Sequence, residues 1–431
     1  MATTANQRKD AWAERIAYLR NRCLEHKRQG MPDRSVALAR GLRASEGEPW
    51  QVRRGHAVRE TLRALRFDLD DRDLLAGRLA PLAWPEEERK AAAEYLATFT
   101  WPGGQTGHCE LDRSRLFALG VDGMRQDLES RLEHATGEAA EAYRSFLLAL
   151  AGFADLIGEA AASAERCGLT TIAASCRRLQ SRPPASFRDA IQLCWFMDLA
   201  VMLGDSVGLV VAGHLDRTLL PFYERDVAAG LLDEGEALAL IEMLYLLTNE
   251  LIPDGLAMSV MVGGRDAAGR DVTNPLSYLC LEALRRTGLV YPTVGVCWHE
   301  GTPAALTELA TQIVADGCAN PAFFGDETIQ RGLRSYGMPA DESCNYINST
   351  CVEITPVSSS NVWVASPYFS TGGILREEIA AQAASPSPAP DFAAFLDAYR
   401  ARLGQRIAAA AQAQAKLREG RRLHGRKPLQ S

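Results

Sequence analysis

The chain has 431 residues, 47% hydrophobic and 23% charged, with a formal net charge of −7 and an isoelectric point near 5.7. That composition supports a large core, and the acidity argues against nucleic acid or an anionic membrane as the main partner. No uncharged apolar run reaches membrane-helix length, and the opening MATTANQRKDAW lacks the apolar stretch of a secretory signal, so a cytoplasmic protein is expected.

From Asp10 to about Ala44 the spacing of apolar residues predicts helix, broken at Gly30 to Asp33. Trp50 to Leu65 reads as an amphipathic helix with a basic side. LLAGRLA, after the acidic stretch Asp68 to Asp73, reads as a short strand or turn. Trp101 to Asp112 (WPGGQTGHCELD) reads as a Gly-rich loop carrying His108. A long helical region is expected from Arg113 to Arg182, interrupted at Ala135 to Gly137. Pro183, Pro184 and Ser186 then restart the chain as the apolar helix FRDAIQLCWFMDLAVML.

Gly204 to Gly213 has a β-rich centre, and MSVMVG (258 to 263) and TVGVCWH (293 to 299) are further β-type runs. Helices are expected from Leu215 to Leu251, from Asn274 to Arg286, and after Pro303. This alternation implies an α/β architecture of parallel strands and crossover helices. SPSPAP (385 to 390) reads as a linker before a final Ala-rich helix that turns basic. The chain holds ten cysteines, scattered and never as CxxC pairs, so they read as mostly buried and reduced, and no metal site is expected.

Asn345 to Pro356, NYINSTCVEITP, carries the most chemistry. Alternation along an extended segment would put Cys351 and Glu353 on one side, a thiol able to handle a hydrogen atom beside a carboxylate able to move a proton. Taken alone, Cys351 reads equally as a buried small hydrophobe.

Segments along the chain resemble, in order, the pyruvate formate-lyase-like domain of the glycyl radical enzymes. They are EGEPWQVRRGHAVRETL with DDRDLLAGRLA, TGHCELDRSRLFALGVDGM, PPASFRDAIQLCWFMDLAV with HLDRTLLPFYERD, NPLSYLCLEALRR, PAFFGDETI and the CVE tripeptide, and the match runs from about residue 10 to the end. The resemblance implies an α/β fold that is the first half of a ten-stranded barrel, preceded by a helical region. Residues 1–182 would form the mainly helical part, 183–384 the half-barrel with the cysteine loop, and 385–431 the linker and basic helix.

Cys351 would be the thiyl residue and Glu353 the general base or acid, in a lyase that removes water, an amine or carboxylate from a small polar molecule. His108 and Asp112 match the family's substrate loop. Phe324 matches a pocket-wall segment, where Phe324 and Asp326 otherwise read as core packing plus a helix cap. The neighbours Thr350 and Val352 disfavour formate-lyase chemistry, which uses paired cysteines.

Some positions depart from the family: Thr350 stands for its usual Gly, His214 for an Arg, and Ser358 to Asn361 for a Gly-rich stretch. No stretch resembles the glycyl radical loop. No metal or organic cofactor is therefore expected in this chain, and the glycyl radical is expected on a partner. That partner would be a second chain carrying the other half-barrel, with an S-adenosylmethionine-dependent activating enzyme to install the radical, unless the sequence is truncated. The alternative is a non-catalytic remnant that binds a ligand or partner.

Overall fold

A computed structural model describes residues 5–27, 31–99, 105–204, 208–252, 258–348, 353–357, 362–364, 370–386 and 391–424. Its β-rich runs become short parallel strands. β1 (Gln105–Glu110) pairs with β2 (Gly208–Val211), Cys109 opposite Val210. β3 (Ser259–Gly263), β4 (Thr293–Trp298) and β5 (Ala322–Gly325) pair in chain order, Val260 opposite Val294 and Val296 opposite Phe323. One parallel bridge, Gly213 to Val260, ties the segment after β2 to β3. Every residue of β3 is buried, the pattern of a parallel strand covered on both faces.

The crossovers follow from local chemistry. Between β3 and β4 runs the helix Pro275–Thr287, where Asn274 and Ser277 form a reciprocal cap and Gly288, at φ 56°, ends it in the left-handed region. Asp233 caps the helix Glu234–Leu251 by accepting from the Glu236 amide. That helix is apolar nearly all round and buried along most of its length. Leu240, Leu244 and Leu247 are among its buried residues, each contributing roughly 2 kcal/mol relative to an exposed side chain.

Among the N-terminal helices, Trp50–Ala64 lies against Gly137–Arg166. The approach is close because Gly55 and Gly152 face it: a Cβ on either would fall 2.8 Å from Ser145 Cα or 2.7 Å from Arg59 Cα. Gly137–Arg166 is also the one described helix long and apolar enough to cross a bilayer, against the sequence expectation that no segment is. It carries Asp155 and Glu159 and buries Leu156, Ile157, Ala160 and Ala161 completely, as a core helix does.

Two expectations need correction. The stretch read as a Gly-rich loop holds β1, because pairing with β2 fixes an extended backbone that Gly, Thr and His do not announce. Asp326 opens the helix Asp326–Ser335 without capping it; its side chain turns inward. The chain divides into two compact units, Met1–Thr98 with Gly107–Val362, and Phe99–Thr106 with Trp363–Gln430. In the second, the helices Thr371–Ala383 and Phe392–His424 are joined by Arg402 to Glu378 at 2.8 Å and Arg406 to Glu377 at 3.0 Å.

Candidate active site

After β5 and its helix, β6 (Tyr346–Asn348) and β7 (Ile354–Pro356) pair antiparallel, with Asn348 opposite Ile354. In the sequence Cys351 lies between these two strands. The base of the hairpin is tied to residues at the C-terminal ends of the parallel strands. Tyr346 Oη donates to Asp326 Oδ1 at 3.1 Å just after β5, and Asp326 Oδ2 also accepts from Arg265 Nε at 3.1 Å and Gln330 Nε2 at 2.9 Å. Arg217 donates to the Gly263 carbonyl at the end of β3 and to the Cys344 carbonyl. This is the end of an α/β array at which functional loops collect.

His214 follows β2 and is buried; its Nε2 lies 2.6 Å from the Tyr346 carbonyl. A carbonyl only accepts, so Nε2 carries the proton and Nδ1 is left with a lone pair. Burial, with the Arg217 charge behind it, holds this ring well below the ordinary histidine value, so it is neutral at pH 7.

Glu110 ends β1 inside the protein, where Arg113 Nη1 reaches its Oε1 at 3.2 Å and Arg113 Nη2 reaches Asp198 Oδ1 at 3.0 Å. One guanidinium thus faces two buried carboxyls. Burial pushes Glu110 up to about 7 and Asp198 up to about 6, while the Arg113 charge pulls both back down. Cys194, beside them, is pushed up to about 12 by burial and stays a thiol.

Since Glu110 binds its proton more tightly folded than unfolded, its contribution is complete below its ordinary value and is lost as pH rises towards 7. The melting temperature of Glu110→Gln should therefore fall less steeply than that of the parent over that interval. Parallel curves would show that Glu110 titrates normally.

The Glu110 carboxyl occupies the space beside Gly213: a Cβ there would lie 2.0 Å from it, and Gly213 has φ +63°. Gly213→Ala should cost about 1–2 kcal/mol for the left-handed backbone alone, plus the displacement of Glu110. A denaturation midpoint within error of the parent would contradict this.

Of the residues singled out in the sequence, Cys351 lies outside the described residues, as does the side chain of His108, whose backbone is in β1. Glu353 is exposed, one residue before β7. Asp112 is exposed and its Oδ1 accepts from the Ser114 amide at 2.9 Å and the Ser114 hydroxyl at 2.5 Å, a turn at a helix start. Phe324 packs with Met261, Cys297, Tyr346 and Ile347, so it supports the hairpin from below. Sequence reasoning passed over Glu110, Arg113, Asp198 and Tyr346. The available signal was Asp198, an acid directly after the apolar run LCWFM (193 to 197), which requires a buried partner.

The sequence profile of the family described as pyruvate formate lyase-like matches residues 80–376, a shorter span than the resemblance read from residue 10. The (2S)-3-sulfopropanediol dehydratase of Klebsiella oxytoca is 26% identical over 300 residues, 63% of this chain and 36% of that protein. The glycerol-bound B12-independent glycerol dehydratase from Clostridium butyricum superposes with a TM-score of 0.82 at 20% identity, covering 97% of this chain and 65% of that one. A glycyl radical enzyme from Archaeoglobus fulgidus superposes with a TM-score of 0.65 at 21% identity, covering 82% and 56%. The chain spans less than two thirds of each relative's length.

Proposed function

Since the chain belongs to the pyruvate formate lyase-like family, a family of glycyl radical enzymes, we propose that it is a lyase performing thiyl-radical elimination on a small polar substrate. The observation that supports the reading is the pairing of β6 with β7, the strands that flank Cys351 in the sequence, with β6 tied through Tyr346 to His214 and to Asp326 at the ends of the parallel strands. In this reading Cys351 gives up a hydrogen atom, takes one from a substrate carbon, and returns it to the product carbon. Glu353 takes or gives the proton that moves with the leaving group, and His108 with Asp112 orients that group.

The radical supplies the one-electron oxidation that turns the thiol into a hydrogen acceptor. It would sit on a glycine outside these 431 residues, on a second polypeptide carrying the other half of a ten-stranded barrel, after activation by an S-adenosylmethionine-dependent enzyme. Trp298 and Phe323, 40% and 43% exposed on β4 and the edge strand β5, support a covering surface there. The chain itself would hold no cofactor and work in the cytoplasm, with 1–182 the helical part, 183–384 the half-barrel and 385–431 the linker and basic helix.

Oxygen-free co-expression with the neighbouring gene product and activating enzyme, followed by electron paramagnetic resonance, tests the reading. A glycyl signal with substrate turnover is expected. A complex that carries the signal but turns over no small alcohol, amine or carboxylate would overturn it.

A further inference from the structure

The N-terminal helices form a cleft of about 450 Å³, within the size range of small-molecule sites. The helices Ser35–Ala44 and Trp50–Ala64 bring Arg40, Glu60 and Arg63 to its lining, and Arg66 follows just past the second helix. The stretch 81–84 adds apolar lining, Leu82 and Trp84 included. Three guanidinium groups thus meet one carboxylate, a surplus of two positive charges in a chain whose net charge is −7.

These arginines are lightly committed. Arg66 donates to the Arg63 and Leu65 carbonyls at 2.7 and 2.8 Å and has no carboxylate partner among the described residues. Arg63 is shared between Glu60 and Asp155, each at 3.2 Å, and its side chain is half exposed. Arg40 lies over the Trp84 ring, 4.9 Å from its centroid, and its pair with Glu88 is also half exposed. Exposed ion pairs contribute little, so an incoming anion displaces them at small cost. A phosphate monoester brings close to two negative charges at neutral pH, and its oxygens match the planar guanidinium fork.

We propose that this cleft binds a phosphorylated small molecule, with its phosphoryl group on Arg40, Arg63 and Arg66 and its organic part against Leu82 and Trp84. The site is separate from the strand ends and independent of the lyase reading. All of its lining precedes β1, and most of it precedes residue 80, where the family match begins.

The test is calorimetric titration of the full chain with inorganic phosphate, phenyl phosphate, AMP and adenosine. Phenyl phosphate or AMP should bind with millimolar or tighter affinity, about tenfold tighter than inorganic phosphate or adenosine, and should weaken as salt is raised. Arg63→Gln and Arg66→Gln should each weaken that binding about tenfold with unchanged circular dichroism. Arg125→Gln is the control. Arg125 is half exposed with two acidic partners, as Arg63 is, but its helix Ser114–Glu133 lines no part of the cleft, so affinity should not change.

No binding of either ester, affinity unchanged in both cleft variants, or the same loss from Arg125→Gln would overturn the proposal. Esters no tighter than inorganic phosphate would mean an adventitious ion only and would overturn it too. Tighter binding of poly-L-glutamate than of either ester would do so as well, by assigning the cleft to an acidic stretch of a partner protein.

Discussion

Replacing Cys351 by alanine is expected to reduce turnover to background while leaving the glycyl radical signal in place. The asymmetry follows from the division of labour. The radical is generated elsewhere, whereas the hydrogen atom that leaves and returns to substrate travels through one sulfur. Glycine-to-cysteine exchange is possible because the S–H bond is weak, and alanine offers only a strong C–H bond. Loss of the radical together with activity would mean that Cys351 is needed for assembly, and retained activity would end the thiyl assignment.

Glu353→Gln is the companion measurement. It preserves shape and removes the proton acceptor, so a loss of about 10²- to 10⁴-fold is the size expected of general acid–base catalysis. Glu353 is exposed in this chain, which suits a group that another surface or the substrate covers during the reaction.

The parts of the fold legible in sequence were those with a local cause. Asn274 with Pro275 opens the helix Pro275–Thr287, Ser186 accepts from the Asp189 amide at the head of Phe187–Leu199, and the continuous apolar runs at 258–263 and 293–299 become β3 and β4. β1 was not legible because its residues, QTGHCE, take their extended form from pairing with β2, far away in the chain.

The site divides in the same way. Cys351 and Glu353 are proposed from a motif and its setting. Glu110 could not be read in that way, since nothing in the sequence around it reports that its carboxyl is buried beside Gly213. Asp326 looked like a helix cap because it precedes a helical run; burial turned it instead into the acceptor for Tyr346, Arg265 and Gln330.

Arg113→Met is expected to destabilise the protein by about 3–5 kcal/mol at neutral pH, the usual cost of stripping a buried ion pair of one member. The guanidinium is 4% exposed and is the cation for both Glu110 and Asp198. Methionine fills much of the same volume, so the loss reflects stranded charge more than an empty cavity. Removing the cation raises both carboxyls further above their ordinary values. The penalty should therefore shrink on acidification, as both become neutral, and grow as pH rises through the interval in which Asp198 ionises, already shifted to about 6 with Arg113 in place.

The triple variant Arg113→Met, Asp198→Asn, Glu110→Gln removes all three charges and should recover most of the lost stability, because no buried ion is then left unpaired. Denaturant midpoints at pH 5 and pH 7.5 for the parent, single and triple variants decide the matter. A single-variant penalty that is equal at both pH values, or a triple variant no more stable than the single, would show that Arg113 acts by packing and not by charge.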